Sequence, residues 1–129
     1  MKISLDTNAY TKLMQGHKTM AEELEKADEL FLSTIVIGEL FSGFSMGSRS
    51  KENARQFEDF MEHEATLVPI TRNIAIRYAA IFKHLKTQGT PIPTNDIWIA
   101  AAAFETGSTL ATYDTHFALV PGLMVLAPE

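Results

Sequence analysis

The chain has 129 residues, 46% of them hydrophobic and 21% charged, which suits one compact domain, residues 1–129, with a substantial core. It holds no cysteine, so disulfides, zinc–thiolate centres and cysteine nucleophiles are excluded, and a reducing compartment is permitted. The net charge of −5 gives no general attraction to nucleic acid or to an anionic membrane; a polyanionic substrate needs a local basic patch or bound cations.

Short apolar runs alternate with helical patterns along the chain. Lys2 to Leu5 predicts a strand that runs straight into Asp6. MKISLDTN meets an aspartate at once, unlike a secretory signal, and no apolar run reaches the ~18 residues of a membrane helix, so a cytoplasmic protein without a membrane span is expected. Thr7 to Gln15 predicts a short helix stopped by Gly16, and Ala21 to Ala27 an acidic one. Leu30 to Leu32 reads as the second strand. Ser33 or Thr34 can cap a helix over Ile35 to Phe44, with Gly43 and Gly47 marking its end and a loop over Met46 to Ser50. Lys51 to Glu64 is amphipathic, with Phe57, Phe60 and Met61 inward. After a third strand at Leu67 to Pro69, Ile74, Tyr78, Ile81, Phe82 and Leu85 mark a helix over Asn73 to Lys86. Gly89 to Pro93 is a loop. Thr94 can cap the next helix, which Gly107 ends. Thr109 to Ala111 and Met124 to Leu126 are the last strands. This alternation predicts an α/β fold, a parallel sheet covered on both faces.

Such folds build sites at the carboxyl ends of their strands. Asp6 directly follows the first strand and Asp114 follows the strand around Leu110, while Asp96 sits in the first turn of a helix that is apolar from Ile97 to Phe104. Glu39 is the only charge in its helix. Each has a local explanation: Asp6 as a helix cap, Asp96 as an acid complementing the helix dipole, Asp114 as a turn residue and Glu39 as half of a tertiary ion pair. Together they point further. Two carboxylates ~5 Å apart repel by roughly 3 kcal/mol at an effective dielectric near 20, so four at one rim need protons or a cation among them. Oxygen-only donors favour magnesium or manganese over zinc.

SLDTN, GEL, NDIWIAA, and TYDTHF followed by VPGL resemble, in that order and over essentially the whole chain, the PIN-domain ribonucleases. The nearest likeness is to the VapC-like toxins of type II toxin–antitoxin modules. The resemblance implies a three-layer α/β/α sandwich with a central parallel sheet, a Mg2+ site in which Mn2+ can substitute, and endonucleolytic RNA cleavage leaving 5′-phosphate and 3′-hydroxyl ends. It carries the catalytic and metal-binding roles to Asp6, Glu39 and Asp96, and to Asp114 at a position where many relatives have asparagine. Thr7, Asn8 and Thr112 are expected to orient the carboxylates or a water, with helix or turn capping as the alternative. A tRNA substrate, a homodimer and a silencing antitoxin are implied as well. Leu40, Phe41, Phe44 and Met46 offer a partner surface or belong to the core. Arg49, Lys51 and Arg55 form one cluster that could hold an RNA backbone, and Arg72, Arg77, Lys83 and Lys86 another; a solvated helix face is the plainer reading of both. One rival is metal-free chemistry by paired histidines among His17, His63, His84 and His116. Another is a catalytically weak binding or regulatory module acting with an antitoxin.

Overall fold

A computed structural model describes residues 1–129. Five strands form one sheet: β1 (Lys2–Leu5), β2 (Glu29–Ser33), β3 (Thr66–Val68), β4 (Thr109–Ala111) and β5 (Val125–Leu126). They lie in the order β3-β2-β1-β4-β5, and every pairing is parallel. Helices α1 (Thr7–Met14), α2 (Lys18–Glu25), α3 (Thr34–Met46), α4 (Ser50–His63), α5 (Arg72–Gln88) and α6 (Thr94–Thr106) supply the crossovers. Successive strands step outward from β1 to β3, and the chain then jumps back to β4 on the far side of β1. Right-handed crossovers accordingly put the helices before and after that reversal on opposite faces. The aromatic contacts agree. Tyr10 of α1 packs edge-on against Phe57 and Phe60 of α4, with ring centroids 5.9 and 5.3 Å apart, while Tyr78 of α5 stacks on Trp98 of α6 at 4.0 Å. The result is the α/β/α sandwich. No helix is long and apolar enough to cross a membrane.

The central strands are apolar on both faces because both are covered: Ile3, Leu5, Leu32, Leu110 and Ala111 are buried. α6 explains the unbroken run after Asp96. Ile97, Ile99 and Ala100 to Ala103 are all buried, and the alanines let the helix press close to its neighbours without a wet face.

Several boundaries differ from those the sequence suggests. Thr94 does not cap α6; it is the first helical residue, and Pro93 stands at the cap, its carbonyl accepting from Asp96 N at 3.0 Å. Proline can stand at this position because the carbonyl of any cap residue accepts the first intrahelical bond; it adds no side-chain acceptor of its own. α2 begins at Lys18, since His17 Nδ1 accepts from Met20 N at 3.2 Å and so acts as its cap. α3 runs through Gly43 to Met46 and stops at Gly47, and α4 starts at Ser50. Gly107, at φ +64°, closes α6 in the left-handed conformation that glycine adopts most freely. Beyond β4 the chain makes an unexpected 3-10 turn, Thr115–Leu119.

Candidate active site

The strand order places the carboxyl ends of β1 and β4 side by side, with Leu5 in register with Ala111. Asp6 N donates to Ala111 O at 3.2 Å, so the pairing persists one residue past β1, and Asp6 and Thr112 emerge together at the sheet's rim. The connection leaving β1 leads to β2 on one side and that leaving β4 leads to β5 on the other, and open parallel sheets form their crevice between two such strands.

Asp6 does two things. Its Oδ1 accepts from Ala9 N at 2.8 Å and caps α1, while its Oδ2 accepts from the Thr112 hydroxyl. The local reading as a helix cap is therefore correct but incomplete. Thr112 also accepts from Asp114 N at 2.9 Å, tying the first and fourth acids into one network. Glu39, on α3, is held from two sides: Thr7 donates to its Oε1 at 2.5 Å and Asn95 to its Oε2 at 3.3 Å. Asp96 projects from the first turn of α6. Asp114 caps the 3-10 turn by accepting from His116 N at 2.9 Å. Asp6, Thr7, Asn8, Glu39, Asp96, Ile99 and Asp114 line one cleft of about 200 Å³. All seven residues anticipated as site or supporting residues thus come together, except that Thr112 lies behind the cleft, against Asp6.

The electrostatics are unfavourable. Asp6 is only 4% exposed. Burial pushes its carboxyl above the ordinary range, and the charges of Asp114 and Asp96 push the same way, against the hydrogen bonds from Thr112 and Ala9. Asp96 is raised too, by burial first; the hydrogen bond from His116 works against this, while Asp114 and Glu39 add to it. No lysine or arginine forms an ion pair with any of the four acids. The sole contact with a nitrogen-bearing ionisable side chain is His116, whose Nδ1 lies 3.2 Å from Asp96 Oδ2 and 3.1 Å from Asp114 Oδ1.

The comparisons with known proteins follow the same outline. The PIN-domain pattern matches residues 3–123. The chain belongs to the PIN-domain family. It is 32% identical over 114 residues to ribonuclease VapC1 of Haemophilus influenzae strain R2866, an alignment that covers 85% of this PIN domain and 84% of that protein. VapBC-1 from nontypeable Haemophilus influenzae superposes with a TM-score of 0.88 at 29% identity, over 98% of this chain and 97% of that one. VapBC2 from Rickettsia felis, solved with a DNA fragment from its promoter, reaches 0.90 at 24% identity over the whole of both chains, a likeness of fold.

The cleft of this PIN domain fits a divalent cation. It gathers carboxylate oxygens, buries one of them and provides no lysine or arginine to balance them; hard cations select that donor set. Two residues beside the acids escaped the sequence reading as site residues. Asn95 was visible only as the neighbour of Asp96. His116 lies two residues past Asp114, and that spacing is the one local signal that ties it to the acids rather than to another histidine. A catalytic histidine pair is absent: His17 caps α2, His63 sits 3.3 Å from Asp59 on α4, and His84 is exposed on α5.

The outlying expectations divide. Arg49 pairs with Glu52 and Arg77 with Glu105, each at 2.7 Å, leaving Lys51, Arg55, Arg72, Lys83 and Lys86 exposed without ion pairs. Leu40 is core and Phe44 partly so, whereas Phe41 is 38% and Met46 89% exposed. A partner surface on α3 would have to use the latter two.

Proposed function

We propose that this PIN domain is an endoribonuclease, the toxin of a toxin–antitoxin module, that hydrolyses RNA phosphodiesters with a divalent cation held by Asp6, Glu39, Asp96 and Asp114. The observation that carries the reading is the meeting of these four acids in one cleft without a lysine or arginine. The ribonuclease name of the Haemophilus influenzae relative and the likeness to VapBC-1 of the same species at 29% identity support it.

The side chains divide the work. Asp6, fixed from two directions, cannot swing away, and its burial favours any state in which its charge is neutralised. Thr7 and Asn95 hold the Glu39 carboxylate in the cleft that Asp96 also lines. Thr112 aligns Asp6 and the backbone that carries Asp114. When bound, a divalent cation lowers the pKa of water for attack and offsets charge on the phosphate. Mg2+ is the expected ion, with Mn2+ able to replace it, and the expected products carry 5′-phosphate and 3′-hydroxyl ends. No step requires a nucleophilic side chain. Lys51, Arg55, Arg72, Lys83 and Lys86 are free to pair with an RNA backbone that the acids themselves repel. The substrate class is structured RNA, with tRNA the first choice. The protein works in the cytoplasm, as a homodimer silenced by an antitoxin that covers Phe41 and Met46.

The test is cleavage of structured RNA by protein stripped of metal. Adding Mg2+ or Mn2+ restores cutting; full activity in excess EDTA overturns the mechanism. A binding module with a degenerate nuclease fold predicts no cutting under either condition.

A further inference from the structure

The four acids offer only oxygen, but the structure brings a nitrogen to the same place. His116 Nδ1 stands 3.2 Å from Asp96 Oδ2 and 3.1 Å from Asp114 Oδ1. One donor atom from each of the three residues lies within 4.8 Å of the others. The ring makes no other hydrogen bond. Its backbone is fixed, since His116 N donates to Asp114 Oδ1 at 2.9 Å and the next residue, Phe117, is buried in the core.

The spacing is informative. Donors ~2.1 Å from a common centre and at right angles to one another lie about 3 Å apart, the edge of an octahedron. The two separations from His116 Nδ1 match that edge, so the ring and the two carboxylates can share one cation with little movement. In the metal-free protein a hydrogen bond occupies the same geometry.

We propose that His116 is itself a ligand, through Nδ1, of a cation held by Asp96 and Asp114, and that it biases this site toward Mn2+ over Mg2+. The chemistry follows from the donor. Magnesium prefers oxygen and parts reluctantly with its waters, whereas imidazole nitrogen suits transition-metal ions. Asp6 and Glu39 keep the hard oxygen character of the cleft, and His116 adds the single softer donor at one side. Its side chain is 47% exposed, which lets the ring turn toward an arriving ion without repacking the core. The inference rests on the cation site proposed above.

The experiment uses untagged wild-type protein and His116→Gln, each with one equivalent of Mn2+, in pulsed electron paramagnetic resonance that detects nitrogen-14 coupling to the ion. Titration calorimetry with Mn2+ and with Mg2+ accompanies it. Wild type shows imidazole coupling and His116→Gln loses it. The same change weakens Mn2+ binding on the order of tenfold, and Mg2+ binding about twofold or less. The exposed position lets His116→Gln fold, and a thermal melt in EDTA checks this. If Mn2+ binds wild type without nitrogen coupling, or the coupling survives in His116→Gln, His116 is not a ligand and the oxygen site stands without it. If Mn2+ does not bind wild type at all, the cation site and this inference fail together.

Discussion

Asp6 and Thr112, 106 residues apart in sequence, share a buried hydrogen bond at the ends of adjacent strands. The same threonine oxygen accepts from Asp114 N. A single hydroxyl therefore sets the position of one acid and the backbone of another. Thr112→Val keeps the shape and removes both bonds. It is expected to cost about 1–3 kcal/mol in chemical denaturation, the penalty for a buried polar group left unpaired. Thr112→Ser retains the hydroxyl and should recover most of that loss. Equal stability of the valine and wild-type proteins would mean that the network contributes nothing.

Glu39 depends on Thr7 and Asn95 for its orientation. Thr7→Val releases one oxygen while leaving helix α1 capped by Asp6. Cation affinity, read by titration calorimetry, is expected to fall roughly 10-fold or more. The melting temperature in EDTA should barely change. A variant that binds the cation as wild type does would show that Glu39 needs no such support.

Production of the protein in bacteria without an antitoxin is expected to arrest growth, and Asp96→Asn to relieve the arrest. Growth curves at matched protein levels decide this. A variant as toxic as wild type would remove Asp96 from the catalytic set.

The raised Asp6 carboxyl makes stability depend on pH in a defined direction. Its protonated form is favoured in the fold, so its contribution is greatest below the ordinary value of 3.8 and is lost as pH rises through the higher folded value. Asp6→Asn lacks this titration and keeps an oxygen to cap α1. In EDTA the two proteins should melt closest together near pH 4, and wild type should fall behind the variant as pH climbs toward 7. A gap that stays constant or reverses would show that the buried charge is compensated by something other than a proton or a cation.

The first strand and the first acid were legible for one reason. In a parallel sheet covered on both faces, a short apolar run ending in an aspartate marks both the strand and its exit to the rim, as at Leu5–Asp6. What joins across the fold was not. Nothing local pairs Asp6 with Thr112 or Glu39 with Asn95; the strand order does. The fate of Leu40 was equally hidden, because α3 is apolar on nearly all sides and no polar period separates core from surface. The cap of α6 was misplaced because threonine is the commoner cap, whereas here Pro93 supplies only its carbonyl. His116 carries a local signal, its distance of two from Asp114, but only the 3-10 turn brings its ring back over the acids.

The claim that these acids form a cation pocket is tested most directly by the melting shift that Mg2+ produces in wild type and in Asp6→Asn at neutral pH. An ion bound by the folded state alone stabilises it by mass action, about 2.7 kcal/mol at 100 times its dissociation constant. Wild type should rise with added Mg2+, and Asp6→Asn, already free of one repelling charge, should rise much less. The account is contradicted if wild type does not respond, if both proteins respond equally, or if Asp6→Asn loses several kcal/mol whether Mg2+ is present or not, as the broken half of a buried ion pair would.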